Sequence, residues 1–354
     1  MTAPAPSVKR VLANEIGDLP EGHAARPMEA GDVEALTALA RAVDIAGCGH
    51  SSTNIEEITD YVAEPDCAWE YGAATVWRGA DLVGAVVVFD GLATGRGWSL
   101  DVFARPGDPR AHAIHASLID GALREGRYRW DAMYMDPDIP LPIAKSGCYA
   151  NDVPLRVDLE KRGFAEVRRF WRMKVDLWSV EGLTRAAEAS ESSRTPAASG
   201  GLPAGYVLRA FRPIESDWRG VHAASSAAFL DHFDFAPLEF EVWRERQEGA
   251  TEDPSQWIVA EHDGEIVGFV MGSNRYASED YGYVASIAVL GEHRGKGLAR
   301  ALLRARMADD VTRGFISTIL HVDATNPTGA TRLYESVGMV EDSEFAFFHR
   351  SLFR

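Results

Sequence analysis

Tyr283-Val284-Ala285-Ser286-Ile287-Ala288-Val289-Leu290-Gly291-Glu292-His293-Arg294-Gly295-Lys296-Gly297-Leu298-Ala299 is the stretch on which the fold turns. Its first eight residues are apolar or small and include three β-branched aliphatics, as a mostly buried strand requires, and Gly291-Glu292-His293 interrupts them. The two glycines that follow allow successive backbone N–H groups to turn toward one point. Leu298, Ala301, Leu302 and Ala305 then recur at helical spacing. A strand, a glycine turn and a helix in that order make an anion site, because unpaired N–H groups and the helix dipole favour negative charge at a helix N-terminus. The glycines are too few for a dinucleotide fingerprint, and no Lys-Ser/Thr closes a nucleotide-triphosphate loop.

Downstream, Asn326-Pro327-Thr328-Gly329-Ala330-Thr331-Arg332-Leu333-Tyr334-Glu335-Ser336-Val337-Gly338-Met339 follows a second strand expected at Thr318–Asp323. Together the two stretches resemble the GNAT superfamily of N-acetyltransferases. Arg294, Gly297 and Ala299 stand at the positions of its acetyl-CoA pyrophosphate signature, Gln/Arg-x-x-Gly-x-Gly/Ala. The downstream stretch resembles Asn-x-x-x-Ala-x-x-Leu-Tyr-x-x-x-Gly-Phe, with Met339 in place of the final Phe.

The 354 residues suit two domains, each able to bury a core. With 46% hydrophobic and 25% charged residues the balance is that of a globular chain. A net charge of −17 argues against a nucleic-acid partner and is compatible with a cationic, amine-bearing acceptor. Cys48, Cys67 and Cys148 are odd in number and form no C-x-x-C pair, so neither a disulfide framework nor a zinc site is expected. No secretory leader opens the chain and no apolar run approaches a bilayer span. These features lead us to expect a cytoplasmic protein with no membrane partner and no metal, as a monomer or homodimer.

Read in order, residues 1–25 are expected as a mobile leader with at most one short packed segment, and structure is expected from Arg26. An amphipathic helix capped by Asp32 comes first, then a helix over Ile55–Val62, a hairpin over Thr75–Phe89 and a strand at Trp98–Arg105. Further on, a helix is expected at Ala111–Glu125, a strand at Trp130–Met135, a helix at Val153–Arg162 and a strand at Glu166–Leu177. Residues 179–205 are rich in Ala, Ser, Glu, Gly and Pro and read as a linker. Beyond it the plan repeats. Arg212-Pro213 echoes Arg26-Pro27, Val267-Gly268 echoes Val83-Gly84, and Asn326 and Gly338 echo Asn151 and Gly163. Such self-similarity means a duplicated domain: an α/β (α+β) protein with repeats at 26–178 and 206–354. A spacing of 184 pairs Arg110-Ala111-His112-Ala113-Ile114-His115 with Arg294–Ala299, so both glycines become alanine, and Leu159 stands where the second repeat has Tyr334. The first repeat therefore reads as a degenerate structural partner and the second as catalytic.

The resemblance implies two tandem GNAT folds, as in proteins of the mycothiol synthase kind. Each would be a mixed, mostly antiparallel sheet flanked by helices, with one splayed parallel strand pair. Acetyl-CoA would lie between Tyr283–Leu290 and Thr318–Asp323, with its pantetheine arm against Ile287, Ala288 and Val289. Its pyrophosphate would meet Arg294, Gly295, Lys296, Gly297, Leu298, Ala299 and Arg300, and Asn326 would bind the cofactor, cap the helix that Pro327 begins, or do both. Tyr334 would be the acid that protonates the departing thiolate, or else a core residue of a short helix. No acid stands at the early-strand position, Tyr283, that carries Glu in some relatives. Glu279, Asp280, His321 and Asp323 are candidate bases, each also readable as a solvated or packed polar group. The acceptor, a small-molecule primary amine, would be met by Phe229–Trp243 and Asn274–Tyr281. There His232, Phe233, Phe235, Glu239, Glu241 and Trp243 either line a cleft or pack a helix against the core. A non-catalytic acyl-CoA sensor or scaffold is the alternative from another class.

Overall fold

The computed structural model describes residues 10–51, 53–64, 66–67, 69–92, 97–133, 141–179, 202–229, 237–249, 251–324 and 329–353. They fall into two compact units, Met1–Phe170 with Ser343–Arg354, and Trp171–Asp342. The first unit runs β1 (His23–Pro27), α1 (Val33–Cys48), α2 (Ile55–Ala63), α3 (Trp69–Gly72), β2 (Ala73–Arg78), β3 (Asp81–Gly91) and β4 (Gly97–Ala104). It continues with α4 (Ala111–Met133), β5 (Ile143–Tyr149), α5 (Val153–Lys161) and the start of β6 (Ala165–Asp176). Strands β1 to β4 pair antiparallel in that order, and β5 joins β4 in parallel. Strand β3 shows why helices cover both faces. Val83, Val86 and Val88 share a core with Ile114, Leu118 and Leu159, whereas Leu82, Ala85 and Val87 share another with Leu36, Leu39 and Ile58. A strand buried on both sides reads as a continuous apolar run.

The second unit runs β7 (Tyr206–Ala210), α6 (Glu215–Ala228), α7 (Phe240–Arg246), β8 (Ile258–His262), β9 (Glu265–Ser273) and β10 (Tyr281–Val289). After these come α8 (Leu298–Arg313), β11 (Ser317–Asp323), α9 (Ala330–Glu335) and the start of β12 (Val340–Ser351). Strands β7 to β10 pair antiparallel and β11 runs parallel to β10. The duplication extends to single hydrogen bonds. Gly84 opposes Ala104 as Gly268 opposes Val289. Phe164 N donates to Leu159 O as Met339 N donates to Tyr334 O, both at 3.1 Å, and Gly163 and Gly338 close the two turns at φ +79° and +90°. Leu159 is thus the positional counterpart of Tyr334. Both units also start on an arginine–aspartate clamp, Arg26 on Asp32 in one and Arg209 with Arg212 on Asp217 in the other.

Several details depart from the sequence reading. Phe345–Ser351 of β12 pairs antiparallel with Tyr149–Ile143 of β5, so Ala346, Phe348 and Leu352 complete the core of the first unit. The compact units therefore do not follow the chain-order division at 178 and 206, because the last strand's hydrogen bonds and apolar side chains go to the first unit. From residue 10 the expected leader holds more than the one short packed segment allowed for it: Leu12 is wholly buried, and β1, which begins at His23, pairs with β2. Helix α4 continues through Trp130 to Met133 where a strand was expected, because Leu118, Ala122 and Trp130 are buried at helical spacing. Strand β5 lies further on, in Ile-Ala-Lys-Ser-Gly-Cys-Tyr, whose pattern carries little strand signal. Asp32 holds Arg26 and Glu29 N and makes no side-chain cap on α1. Most of the expected linker, 180–201, lies outside the described residues. Among the described residues no helix is long and apolar enough to cross a membrane.

Candidate active site

The closed end of the β10–β11 pair is locked from beneath. Arg306 and Asp310 of α8 are wholly buried and paired, Thr318 Oγ1 donates to Asp310 at 2.6 Å, and Arg306 Nη1 donates to Gln256 O at 2.7 Å. Burial works to raise the Asp310 pKa, and it stands above the usual carboxylate value despite Arg306. Gly282 passes so close that a Cβ on it would overlap the Asp310 carboxylate. Above this lock, β10 and β11 keep register from Tyr281↔Ser317 to Val284↔Leu320 and no further. Strand β10 shifts register between Val284 and Ser286 and stays paired with β9 through Val289↔Gly268. The β11-facing edge at Ile287, Ala288 and Val289 is thus not covered by β11, and the Val289 carbonyl on it accepts from Arg294 Nε.

Eight residues, 290–297, link β10 to α8. Gly295 and Gly297 sit at φ +75° and +82°, and a Cβ on either would meet nothing within 4 Å. Glycine is required there by the backbone, and the space in front of the turn is open. The flanking cations brace the loop: Arg294 Nε donates to Val289 O at 3.0 Å, and Lys296 Nζ donates to Tyr206 Oη at 2.6 Å and Glu292 O at 3.2 Å. Tyr206 Oη lies 2.8 Å from His293 Nδ1. Leu298 anchors the first helical turn in the core, Ala299 is half-buried and Arg300 is exposed. The main-chain N–H groups at the start of α8 remain the natural anion donors.

The first unit corrects the pairing by 184. Only six residues, 105–110, link β4 to α4, and Ala111 already opens the helix. Ala111 and Ala113 therefore lie in a helical turn and do not replace loop glycines. The cradle is absent because the link is two residues shorter, 6 against 8.

Tyr334 lies on α9, 8% exposed, among Leu298, Leu302, Val337 and Met339. Burial pushes its phenol up to about 12, so it is protonated at neutral pH. The position satisfies both readings of this residue, a packed ring and a proton-bearing hydroxyl. Asn326 lies outside the described residues, as do His232, Phe233 and Phe235.

Of the candidate bases, Glu279 and Asp280 precede Tyr281, at the closed end of the strand pair. His321 directly follows Leu320, the last residue in register with β10, and so stands at the point where the strands part; Asp323 ends β11. His321 keeps an exposed surface, yet desolvation against the neighbouring Tyr276 and Tyr283 rings, with the like charges of Arg172 and Arg275, lowers its pKa toward about 4, and the imidazole is neutral at pH 7. Its Nδ1 lies 3.4 Å from Tyr283 Oη, and Tyr276 packs edge-on to Tyr283 at 5.1 Å. Burial raises Tyr283 to about 12 and also raises Glu252. The sequence reading missed Tyr276 and Glu252, although Tyr276 falls in the expected acceptor loop. Trp243 is 9% exposed and packs with Trp218, His222 and Trp257, so it belongs to the core; Glu241 faces solvent and Glu239 precedes α7.

Residues 218–339 match the family described as Acetyltransferase (GNAT). The chain is 37% identical over 166 residues to a mycothiol acetyltransferase of Thermobispora bispora, covering 44% of this chain and 55% of the relative. It is 34% identical over 137 residues to a mycothiol acetyltransferase of Streptomyces griseus, covering 39% and 44%. The chain thus spans about half the length of the curated relatives it matches. Among solved structures, a GCN5-related N-acetyltransferase from Sphaerobacter thermophilus aligns over 94% of this chain and 97% of its own, with TM-score 0.74 and 23% identity. A tandem GNAT protein from the clavulanic acid biosynthesis pathway aligns over 93% and 98%, with TM-score 0.60 and 17% identity. These structural likenesses establish the tandem fold.

Proposed function

Because residues 218–339 of this chain form a GNAT acetyltransferase domain, we propose that the protein moves an acetyl group from acetyl-CoA to a primary amine of a small molecule by direct attack in a ternary complex. The observation that carries this is the pairing of an open strand edge at Ile287–Val289 with two left-handed glycines before α8. Such a cradle fits a ligand with an extended, amide-bearing arm and a pyrophosphate, since the left-handed turn leaves open space before the N–H groups that start α8. Acetyl-CoA supplies the activated thioester.

In this reading the backbone from Arg294 to Arg300 holds the pyrophosphate and the edge at Ile287, Ala288 and Val289 orients the arm, with Asn326 as a further contact. Val289 N–H stabilises the oxyanion as the amine nitrogen bonds to the acetyl carbon. The carbon–sulfur bond then breaks, Tyr334 gives its proton to the thiolate, and neutral His321, directly or through water, takes the proton lost by nitrogen. Tyr276 and Tyr283 shape the acceptor side.

The name carried by the relatives makes the amine that acetylation would convert to mycothiol the first acceptor to try. The test is release of free CoA thiol when acetyl-CoA is mixed with a panel of amines. Thiol release that falls in Tyr334→Phe supports the reading. Binding of acetyl-CoA without thiol release for any amine would favour a sensor, and failure of acetyl-CoA to protect the chain against heat would remove both readings.

A further inference from the structure

The link that carries the glycine cradle is tethered from far back in the chain. Its local hydrogen bonds run from His293 N to Leu290 O at 2.9 Å, from Arg294 N to Gly291 O at 3.2 Å and from Arg294 Nε to Val289 O at 3.0 Å. Bonds of this short range fold the turn without fixing where it stands against the sheet. Among the described residues, the side-chain hydrogen bonds that join 291–297 to an element not adjacent in sequence end on one atom, Tyr206 Oη. It lies 2.8 Å from His293 Nδ1 and 2.6 Å from Lys296 Nζ, 87 and 90 residues away. An ammonium group only donates, so Oη accepts from Lys296 and has its own proton to give to His293.

Tyr206 is 5% exposed, its ring lies 4.3 Å from that of His262, and β7 is paired with β8 from Tyr206↔His262 to Ala210↔Ile258. A buried, ring-stacked phenol on a paired strand is a fixed point. The first unit ties its own link from the corresponding corner. There Arg78 opposes His23 as His262 opposes Tyr206, and Arg78 Nη1 donates to Asp108 of the link at 2.8 Å. That tie puts a carboxylate on the link, where it would repel a diphosphate. The second unit holds its link by a hydroxyl on a lysine, which adds no negative charge.

We infer that Tyr206 is a positioning residue for acetyl-CoA: acting through Lys296 and His293, its hydroxyl holds the link so that the N–H groups at the start of α8 face the pyrophosphate. The inference rests on the proposed use of this turn as the acetyl-CoA cradle. Lys296 serves in it as a tether, its ammonium turned onto Tyr206 Oη and Glu292 O. Strands β8 and β9 separate Tyr206 from β10, so it acts on cofactor binding and not on the transfer step. If the untied link keeps the cradle geometry about a tenth of the time, the apparent affinity falls about tenfold.

The experiment is calorimetric titration of the full chain with acetyl-CoA, together with amide hydrogen exchange of the free chain. Tyr206→Phe keeps the ring on His262 and removes only the hydroxyl. It should weaken acetyl-CoA about tenfold and speed exchange in 291–297, while β8 and β9 exchange as before. Lys296→Met, a change at an exposed position, should weaken acetyl-CoA as well. Added to Tyr206→Phe it should cost less than about twofold more, because the tether is already gone; a packing role for Tyr206 and a separate phosphate contact by Lys296 would instead multiply. Unchanged affinity in Tyr206→Phe, or multiplied losses in the double variant, would overturn the inference and leave the cradle standing. Failure of the unaltered chain to bind acetyl-CoA would remove the cradle, and this role with it.

Discussion

Substituting Gly297 with alanine separates the backbone's demand for glycine from any demand for space. The residue sits at φ +82° and ψ 0°, and the added methyl group would meet no atom within 4 Å. No steric clash enters, so the stability cost is the left-handed backbone alone, about 1–2 kcal/mol for an L-residue. The more restricted unfolded chain offsets this by about 0.4–1 kcal/mol. A net loss near 1 kcal/mol lowers the melting temperature by about 2–4 °C in a unit of this size. Binding should suffer more. If the loop relieves its strain by leaving the left-handed region, the N–H groups of Gly297 and Leu298 turn away from a pyrophosphate. Two charge-assisted hydrogen bonds at about 1.5 kcal/mol each then go, and acetyl-CoA affinity falls roughly 100-fold. Gly291→Ala is the matched control, since Gly291 has neither a positive φ nor a neighbour within 4 Å of an added Cβ. Thermal melts of the free protein and calorimetric titration with acetyl-CoA read the two quantities. Unchanged affinity in Gly297→Ala, or an equal loss in Gly291→Ala, would refute the cradle.

Four other outcomes follow from the structure. Tyr334→Phe should lower kcat by about 10²-fold with little change in acetyl-CoA affinity, as single-turnover thiol release would show; an unchanged rate would return Tyr334 to a packing role. Asp310→Ala strands the buried Arg306 guanidinium and should cost about 3–5 kcal/mol in denaturant unfolding, whereas a loss below about 1 kcal/mol would mean that Asp309, also paired with Arg306, suffices. Deleting Ser343–Arg354 removes Phe348 and Leu352 from the first unit's core, at about 3–6 kcal/mol, and hydrogen exchange should rise first in Val76–Leu118 instead of in the unit that precedes the cut in sequence. His321, exposed on one side but with its folded pKa lowered from 6.5 toward about 4 by its aromatic neighbours and like charges, should titrate in NMR well below 6.5. Because the unfolded chain binds that proton more readily, this residue's contribution to stability is intact above about pH 6.5 and is lost as the pH falls toward 4. An ordinary titration near 6.5 would show that the ring is not desolvated.

Much of the fold was legible because the apolar periods are strong and occur twice. The hairpin glycines Gly84 and Gly268, the turn glycines Gly163 and Gly338, and the pair Leu159 and Tyr334 stand at equivalent places in space as they do in sequence. The legibility failed where a pattern depended on partners. Trp130 looked like part of a strand until its burial on α4 showed the helical face, and Ile143–Tyr149 carries strand residues only because β4 and β12 flank it. Trp243 read equally as cleft or core from its helix, and packing against Trp218 and Trp257 decided for core.

By itself the sequence determined the strand-turn-helix at Tyr283–Ala299, the two glycines within it and the existence of a second, altered copy, since these depend on local backbone freedom and short-range periodicity. Three things were decided only in three dimensions. The β10–β11 register stops at Val284, and its closed end is held by a buried Arg306–Asp310 pair 22 to 26 residues further along the chain, packed against the bare Cα of Gly282. The loss of the cradle in the first unit is a shortened link that no residue-by-residue pairing reveals. The completion of that unit by the chain's last strand is a pairing of backbone groups, and backbone hydrogen bonds carry no record in the sequence of which strand will make them.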